Sequence, residues 1–299
     1  MILTTPLFSE LRRHFPDSEI SVLASKKNSI ITRKFSAVNY TYEYDKKFLN
    51  TLKLLFRLRK KRIDLWIDTK DEYSSTSKLL KKLSKPVKSL GFNIKDKIFD
   101  SDLSGFVTGK HRVDINLSPI NSLGKIIERA TPLIEIPKTD SDNVLTRLEK
   151  TANKRVLLNL SAGISTRDLS NEKWLKIANG IKSDYSVILT GQEKDYSNIN
   201  TVINSISRKN VHFIETNTIF ELAELIKQCS LIVTPDTSAV HIASCFNTPI
   251  VCFFHNVEWV RIKFAPLSEK QRIIVSKEEN SFESITPEEI TGSINELLA

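Results

Sequence analysis

An alternation in the second half of the chain constrains the fold most tightly. Short apolar runs (RVLLNL from 155, SVILT from 186, VHFIE from 211, SLIVT from 230, PIVCFF from 249) recur with helix-period stretches among them. In SNEKWLKIANGI (170–181), Trp174, Ile177, Ala178 and Ile181 share one face; IFELAELIKQC (219–229) and the segment from about Ser238 are read as helices too. Strands that are apolar throughout, rather than at every second residue, are covered on both faces. Such strands alternating with amphipathic helices predict a parallel sheet flanked by helices, a Rossmann-like α/β domain.

The first half keeps the same rhythm more loosely. Strands are expected in EISVLAS, VNYTYEY, IDLWIDT and KSLGFN, and helices in TTPLFSELRRHF, FLNTLKLLFRLRKK and EYSSTSKLLKKL. NSLGKIIERA (121–130) and NVLTRLEKT are expected as helical connectors, with TPLIEIPKTDSD between them as a linker. The expected division is into two domains, 1–150 and 151–299. Near the end, Thr286 as cap, Pro287 at the first position and Glu289 three residues after the cap mark a helix start.

Hydrophobic residues make up 40% of the chain and charged residues 26%, the composition of a soluble globular protein. No apolar run approaches the roughly 18 residues of a membrane span. The opening MILTTPLFSELRRHF has no basic leader before an apolar core. Cys229, Cys245 and Cys252 are odd in number and sit among apolar residues, as buried thiols do in a reducing compartment, so a cytoplasmic location is expected. Residues 1–150 hold 29 Lys and Arg against 18 Asp and Glu, whereas residues 151–299 hold 15 against 17. Either the Lys-rich helices are simply solvated, or the first half meets an anionic partner such as an acidic membrane surface or glycolipid. No nucleic-acid module accompanies the basic residues, so nucleic acid is not expected as a partner.

Ligands of open α/β sheets bind beyond the carboxyl ends of the strands. In the second half those ends read SAGISTRD, TGQEKD, IETNT and TPDTS. The helix that begins near Asp236, Thr237 and Ser238 offers unpaired N–H groups to a phosphate, although Asp236 or Ser238 also reads as a plain helix cap. His241 shares a face with Thr237 and reads equally as a hydrogen-bonded core residue. Ser165 and Thr166 suit phosphate oxygens, and Arg167 or Lys173 supplies charge; the alternative is a solvated loop before a helix capped by Ser170. Glu193 or Asp195 suits ribose hydroxyls, or serves as a helix-start acid. Together these loops describe a nucleotide-diphosphate pocket. Neither G-x-G-x-x-G nor G-x-x-x-x-G-K-[ST] occurs, and no Cys–His spacing suggests zinc.

The string PDTSAVHIASCFNTPIVCFF (235–254) resembles the signature of the bacterial heptosyltransferases, glycosyltransferase family 9. That pattern runs Asp-[Thr/Ser]-[Gly/Ser/Ala]-x-x-His-[Leu/Ile]-Ala, then Pro and a strand. LTTPLFSELRRHFPDSEISVLAS, HRVDINLSPINSLG, SAGISTRDLSNEKW and TGQEKD extend the resemblance over nearly the whole chain. It implies a GT-B fold, two Rossmann-like domains facing across a cleft, the first for the acceptor and the second for a nucleotide sugar. It also implies inverting transfer, from ADP-heptose in the best-known members, to the anionic inner core of lipopolysaccharide. On this chain Asp236 would touch the donor sugar, with Thr237 and Ser238 at the diphosphate and His241 within the signature. Ser165, Thr166 and Lys173 would meet phosphate oxygens, Glu193 the ribose, and the segment near Thr218 the adenine. No metal and no cofactor are implied. The basic first half suits an anionic glycolipid acceptor and peripheral contact with the inner membrane.

This sequence departs from the pattern in three places. The family opens with a strand and Gly-Asp directly before the segment that here reads MILTTP, and that aspartate is its general base; strand and base would both precede Met1. Asp17 and Asp68 are the nearest replacements. Ser238 stands where glycine is common, and Glu172-Lys173-Trp174 stands where Lys-x-Trp is common, which weakens the phosphate role of Lys173. The expectation is a start at an internal methionine of a complete enzyme. The alternatives are a nucleotide-sugar-binding relic without catalysis and a GT-B transferase with another donor, such as a UDP-sugar.

Overall fold

The computed structural model describes residues 1–45, 47–128, 130–163 and 168–299, without the side chains of residues 48, 49 and 52. The chain divides into two units, Met1–Glu135 and Ile136–Ala299. The first contains α1 (Thr5–His14), β1 (Ser21–Ala24), α2 (Lys26–Thr32), β2 (Tyr40–Glu43), α3 (Phe48–Lys60), β3 (Leu65–Ile67), α4 (Ser75–Ser84), β4 (Lys88–Gly91), β5 (Ser101–Asp102) and α5 (Arg112–Ser122). Its strands form two parallel sheets, β1–β2 and β3–β4–β5. Among the described residues β1 and β3 are not paired with each other; Leu23 of one and Trp66 of the other pack on a shared cluster of Leu54, Leu58 and Leu80.

The second unit contains α6 (Lys138–Leu148), β6 (Arg155–Asn159), α7 (Asn171–Gly180), β7 (Ser186–Thr190), α8 (Tyr196–Ser205), β8 (Val211–Phe213), α9 (Ile219–Lys227), β9 (Leu231–Pro235), α10 (Ser238–Phe246), β10 (Ile250–Phe254), α11 (Glu258–Phe264), β11 (Gln271–Val275) and α12 (Pro287–Leu297). Its six strands lie in the order β8-β7-β6-β9-β10-β11, all parallel. The chain thus winds outward from β6 in one direction, returns to the centre, and winds outward from β9 in the other. β6 and β9 meet with Val156 opposite Leu231 and Leu158 opposite Val233. β7, β9 and β10 are buried at every residue, which is why their sequences show no polar alternation. On one face Trp174, Phe253 and Phe282 pack with ring separations of 6.0 and 5.3 Å. Each such buried ring contributes about 1.5–3 kcal/mol of hydrophobic stabilisation.

Helix ends follow local chemistry. Ser170 accepts the Lys173 N–H at the start of α7, and Thr286 with Glu289 forms a full capping box on α12, both as expected. Of the helix expected at 121–130, residues 123–128 are not helical. The helix instead spans Arg112–Ser122 and ends before Gly124, whose φ of 68° leaves the helical region. Residues Val113 and Ile115 to Ile120 are all buried, so α5 has no apolar stripe to betray it. α6 occupies part of the expected linker, and Asn143 Nδ2 donates to Glu221 Oε1 at 3.1 Å, tying it to α9. The two compact units divide at 135/136, which places α6 in the second. Helices α2, α8 and α11 and strands β5 and β11 lie where the sequence raised no expectation.

All three cysteines are free, Cys229 and Cys252 buried and Cys245 half-buried. Burial pushes the thiols of Cys229 and Cys245 up to about 12; for Cys252 burial, then the Asp236 carboxylate, act in the same direction. Among the described residues no helix is long and apolar enough to cross a membrane.

Candidate functional site at the strand-order switch

A doubly wound sheet leaves a crevice outside its carboxyl edge where strand order reverses, here between β6 and β9. The floor is polar. Asn159, the last residue of β6, donates from Nδ2 to Thr234 Oγ1 on β9 at 2.9 Å. Thr234 Oγ1 lies 3.3 Å from Thr237 Oγ1. Thr237 caps α10, its hydroxyl accepting the Ala239 N–H at 3.3 Å. The positive end of the α10 dipole therefore stands at the switch point, where an anion is stabilised.

The cap is thus Thr237, and neither Asp236 nor Ser238. Thr237 has extended backbone (φ −144°), so the helix starts one residue later with the exposed Ser238. Asp236 still belongs to the strand end: its N–H donates to Phe253 O at 3.0 Å, and the residue is buried. His241 is half-buried one turn into α10, its ring 6.1 Å from that of Phe264.

The ends of β6 and β7 are latched together. Ser161 Oγ accepts the Gln192 N–H at 2.5 Å and donates to Asp195 Oδ2. The loops approach so closely that a Cβ on Gly191 would lie 2.6 Å from Ser161 Oγ. Asp195 is held by this latch, whereas Glu193 is exposed on a single 3₁₀ turn. Lys194 Nζ donates to Ala162 O at 3.1 Å and so carries a cation to the β6 loop. Partial desolvation, and next the Asp195 carboxylate, push the Asp168 carboxyl up, with Lys194 opposing.

Other expected residues are engaged differently. Ser165, Thr166 and Arg167 lie outside the described residues. Lys173 Nζ donates to Glu283 O at 2.5 Å and to Phe282 O at 3.4 Å, and pairs with the Glu283 carboxylate at 3.6 Å. An anion would have to displace these partners. Thr218 caps α9 by accepting the Glu221 N–H at 3.0 Å, and donates to Asp140. Beneath it Glu221 accepts from Asn217 N–H at 2.8 Å and from Arg147 at 3.0 Å. In the first unit Asp68 is buried just past the end of β3, while Asp17 is in an exposed turn.

Asn159, Ser161, Asp168 and Lys194 had not been singled out in the sequence. Lys194 stood in the quoted loop and was legible as a cation; Ser161 and Asn159 gained their roles only from partners far along the chain. Taken together, a helix dipole, a polar floor of hydroxyls and an amide, a lysine on the adjoining loop and an exposed carboxylate can hold a diphosphate and a pair of hydroxyls.

Residues 51–291 match glycosyltransferase family 9 (heptosyltransferase). The chain is 24% identical over 273 residues to the lipopolysaccharide heptosyltransferase 3 of Escherichia coli, covering 85% of this chain and 79% of that one. It superposes on a family 9 glycosyl transferase from Veillonella parvula DSM 2008 with a TM-score of 0.81 at 16% identity, covering 99% of this chain and 93% of the other. For the E. coli ADP-heptose lps heptosyltransferase II the TM-score is 0.76 at 19% identity, with 100% and 95% covered. With its fold of the GT-B type and its family match over most of its length, the chain belongs to glycosyltransferase family 9.

Proposed function

We infer that the protein transfers a heptose, with inversion, from ADP-heptose to the anionic inner core of lipopolysaccharide. The second unit binds the donor: Thr237, Ser238 and the start of α10 take the diphosphate, Lys194 adds positive charge, Glu193 takes the ribose hydroxyls, and the segment at Thr218 the adenine. Asp236 meets the donor sugar. Ser165, Thr166 and Lys173 remain candidates for phosphate oxygens, Lys173 only after leaving Glu283. The first unit, with its excess of cations, takes the acceptor, and the protein works in the cytoplasm in peripheral contact with the inner membrane. In the reaction an acceptor oxygen attacks the anomeric carbon on the face opposite the diphosphate, ADP departs, and the acceptor proton passes to a base. No residue is assigned as that base.

The supporting observation is the polar floor of Asn159, Thr234 and Thr237 at the switch between β6 and β9, with the α10 dipole above it. ADP is expected to raise the melting temperature in a concentration-dependent way, and UDP much less. A larger shift with UDP would redirect the donor, and no shift with either would remove the reading. Release of ADP from ADP-heptose in the presence of heptose-deficient lipopolysaccharide then separates turnover from binding alone.

A further inference from the structure

The first unit carries a basic surface for which donor binding has no use. Between residues 78 and 97 the chain holds seven lysines and one acid, Asp96. Lys78, Lys81, Lys82, Lys85 and Lys97 line with Asp96 one cavity of about 380 Å³. It lies where the second half of α4 meets the segment after β4. Lys78 pairs with Asp96 at 2.5 Å and Lys81 donates to Ile98 O at 2.9 Å, so these two join the walls. Lys82, Lys85 and Lys97 are exposed. Cations gathered this closely repel one another unless an anion lies among them.

The same face also exposes large apolar side chains. Leu79 and Leu83, four apart on α4, are 49% and 37% exposed, Val87 beyond the helix 69%, and Ile94 46%. Leu80 and Ser84 take the inward side, so the leucine stripe runs beside the Lys78–Lys82 stripe on the outer surface. On α3, which packs against α4, Phe56 is exposed on the side away from buried Leu54 and Leu58, among exposed Lys53, Arg57 and Lys60. A soluble polyanion would engage the lysines and leave the leucines in water. An anionic bilayer engages both, headgroups on the cations and the acyl boundary on the apolar side chains.

The geometry points to this α3–α4 face as the surface by which the protein docks on an anionic lipid bilayer. This rests on the peripheral membrane contact inferred above and gives it residues. Co-sedimentation of the full chain with vesicles of equal parts phosphatidylglycerol and phosphatidylcholine, against phosphatidylcholine alone, tests it. Binding is expected only to the first, falling as salt rises. The triple variant Lys82→Ser, Lys85→Gly, Lys97→Ser keeps the two wall-joining lysines and is expected to bind roughly a hundredfold more weakly, at about fivefold per lysine near an anionic surface. Leu79→Ser with Leu83→Ser is expected to reduce the binding that survives high salt. Undiminished binding by the triple variant, or equal binding to both vesicles, overturns the assignment. Binding that the leucine pair leaves unchanged overturns the bilayer in favour of a soluble polyanion, for which inorganic phosphate and a DNA duplex are the control probes. The ADP-induced rise in melting temperature, read on the same samples, is expected to be equal in all variants; its absence throughout would count against the donor reading and leave this one standing.

Discussion

Ser161 and Asp195, 34 residues apart in sequence, are joined Oγ to Oδ2, and the same Oγ accepts the Gln192 N–H at 2.5 Å. One buried hydroxyl thus registers the β6 loop against the β7 loop. Ser161→Ala leaves a carboxylate oxygen and an N–H without that partner, and about 1–3 kcal/mol of stability is expected to be lost in urea unfolding. ADP affinity should fall with it, because Glu193 and Lys194 ride on the released loop. Gly191→Ala attacks the same contact from the other side and is expected to act in the same direction. Stability unchanged in both variants would mean that the loops are held elsewhere.

Thr237 and Ser238 are adjacent but should respond differently. Thr237→Val removes the α10 cap and is expected to cost about 1 kcal/mol. It also takes a hydroxyl from the polar floor, so titration calorimetry should register weaker ADP binding. Ser238→Gly keeps the cap and the backbone N–H groups of the helix start and removes only one hydroxyl from the diphosphate site, so ADP binding should weaken less than in Thr237→Val. Equal affinity in wild type and Thr237→Val would place the diphosphate away from this helix.

Glu221 carries a pH dependence whose sign is determined. Burial opposes its ionisation, but the Asn217 N–H, Arg147 and Asn143 outweigh it and hold the carboxyl below the ordinary 4.5. Its ionisation therefore stabilises the fold fully above the unfolded value, and that contribution is lost as pH falls through the folded one. Glu221→Gln is expected to be less stable near neutral pH by about 1–3 kcal/mol, with the gap closing on acidification. A gap that widens toward low pH would reverse the assignment. Arg147 is one-third exposed, so added salt should trim only part of the effect.

Lys85 ends α4 with φ of 50°, a left-handed conformation in which glycine or asparagine is the usual residue. Lys85→Gly is expected to raise stability by about 1 kcal/mol, as a shift in melting temperature, while removing one cation from the basic face. A lower melting temperature would show that the lysine side chain contributes more to the fold than its backbone conformation costs.

Much of the second unit was legible locally. Buried strands announce themselves by unbroken apolar runs, and the capping box of Thr286 and Glu289 is written in four consecutive residues. α5 was not legible, because its apolar residues surround the helix and Pro119 lies inside it, so neither period nor composition marks it. The place of α6 was equally hidden: the helix is polar at its start, and its attachment to the second unit runs through Glu221, Glu215 and Thr218, more than sixty residues away.

The residues alone determined that this is a chain of parallel strands and covering helices whose polar strand ends include Glu193, Asp236 and Thr237, because periodicity and loop chemistry are short-range properties. Tertiary structure alone decided that β6 and β9 are neighbours, that Thr237 rather than Asp236 caps α10, and that Lys173 is turned to Glu283 while Lys194 reaches the β6 loop. Those outcomes depend on strand order and on partners dozens of residues away, where the free energy of pairing is set by the whole packed sheet and no local pattern records it.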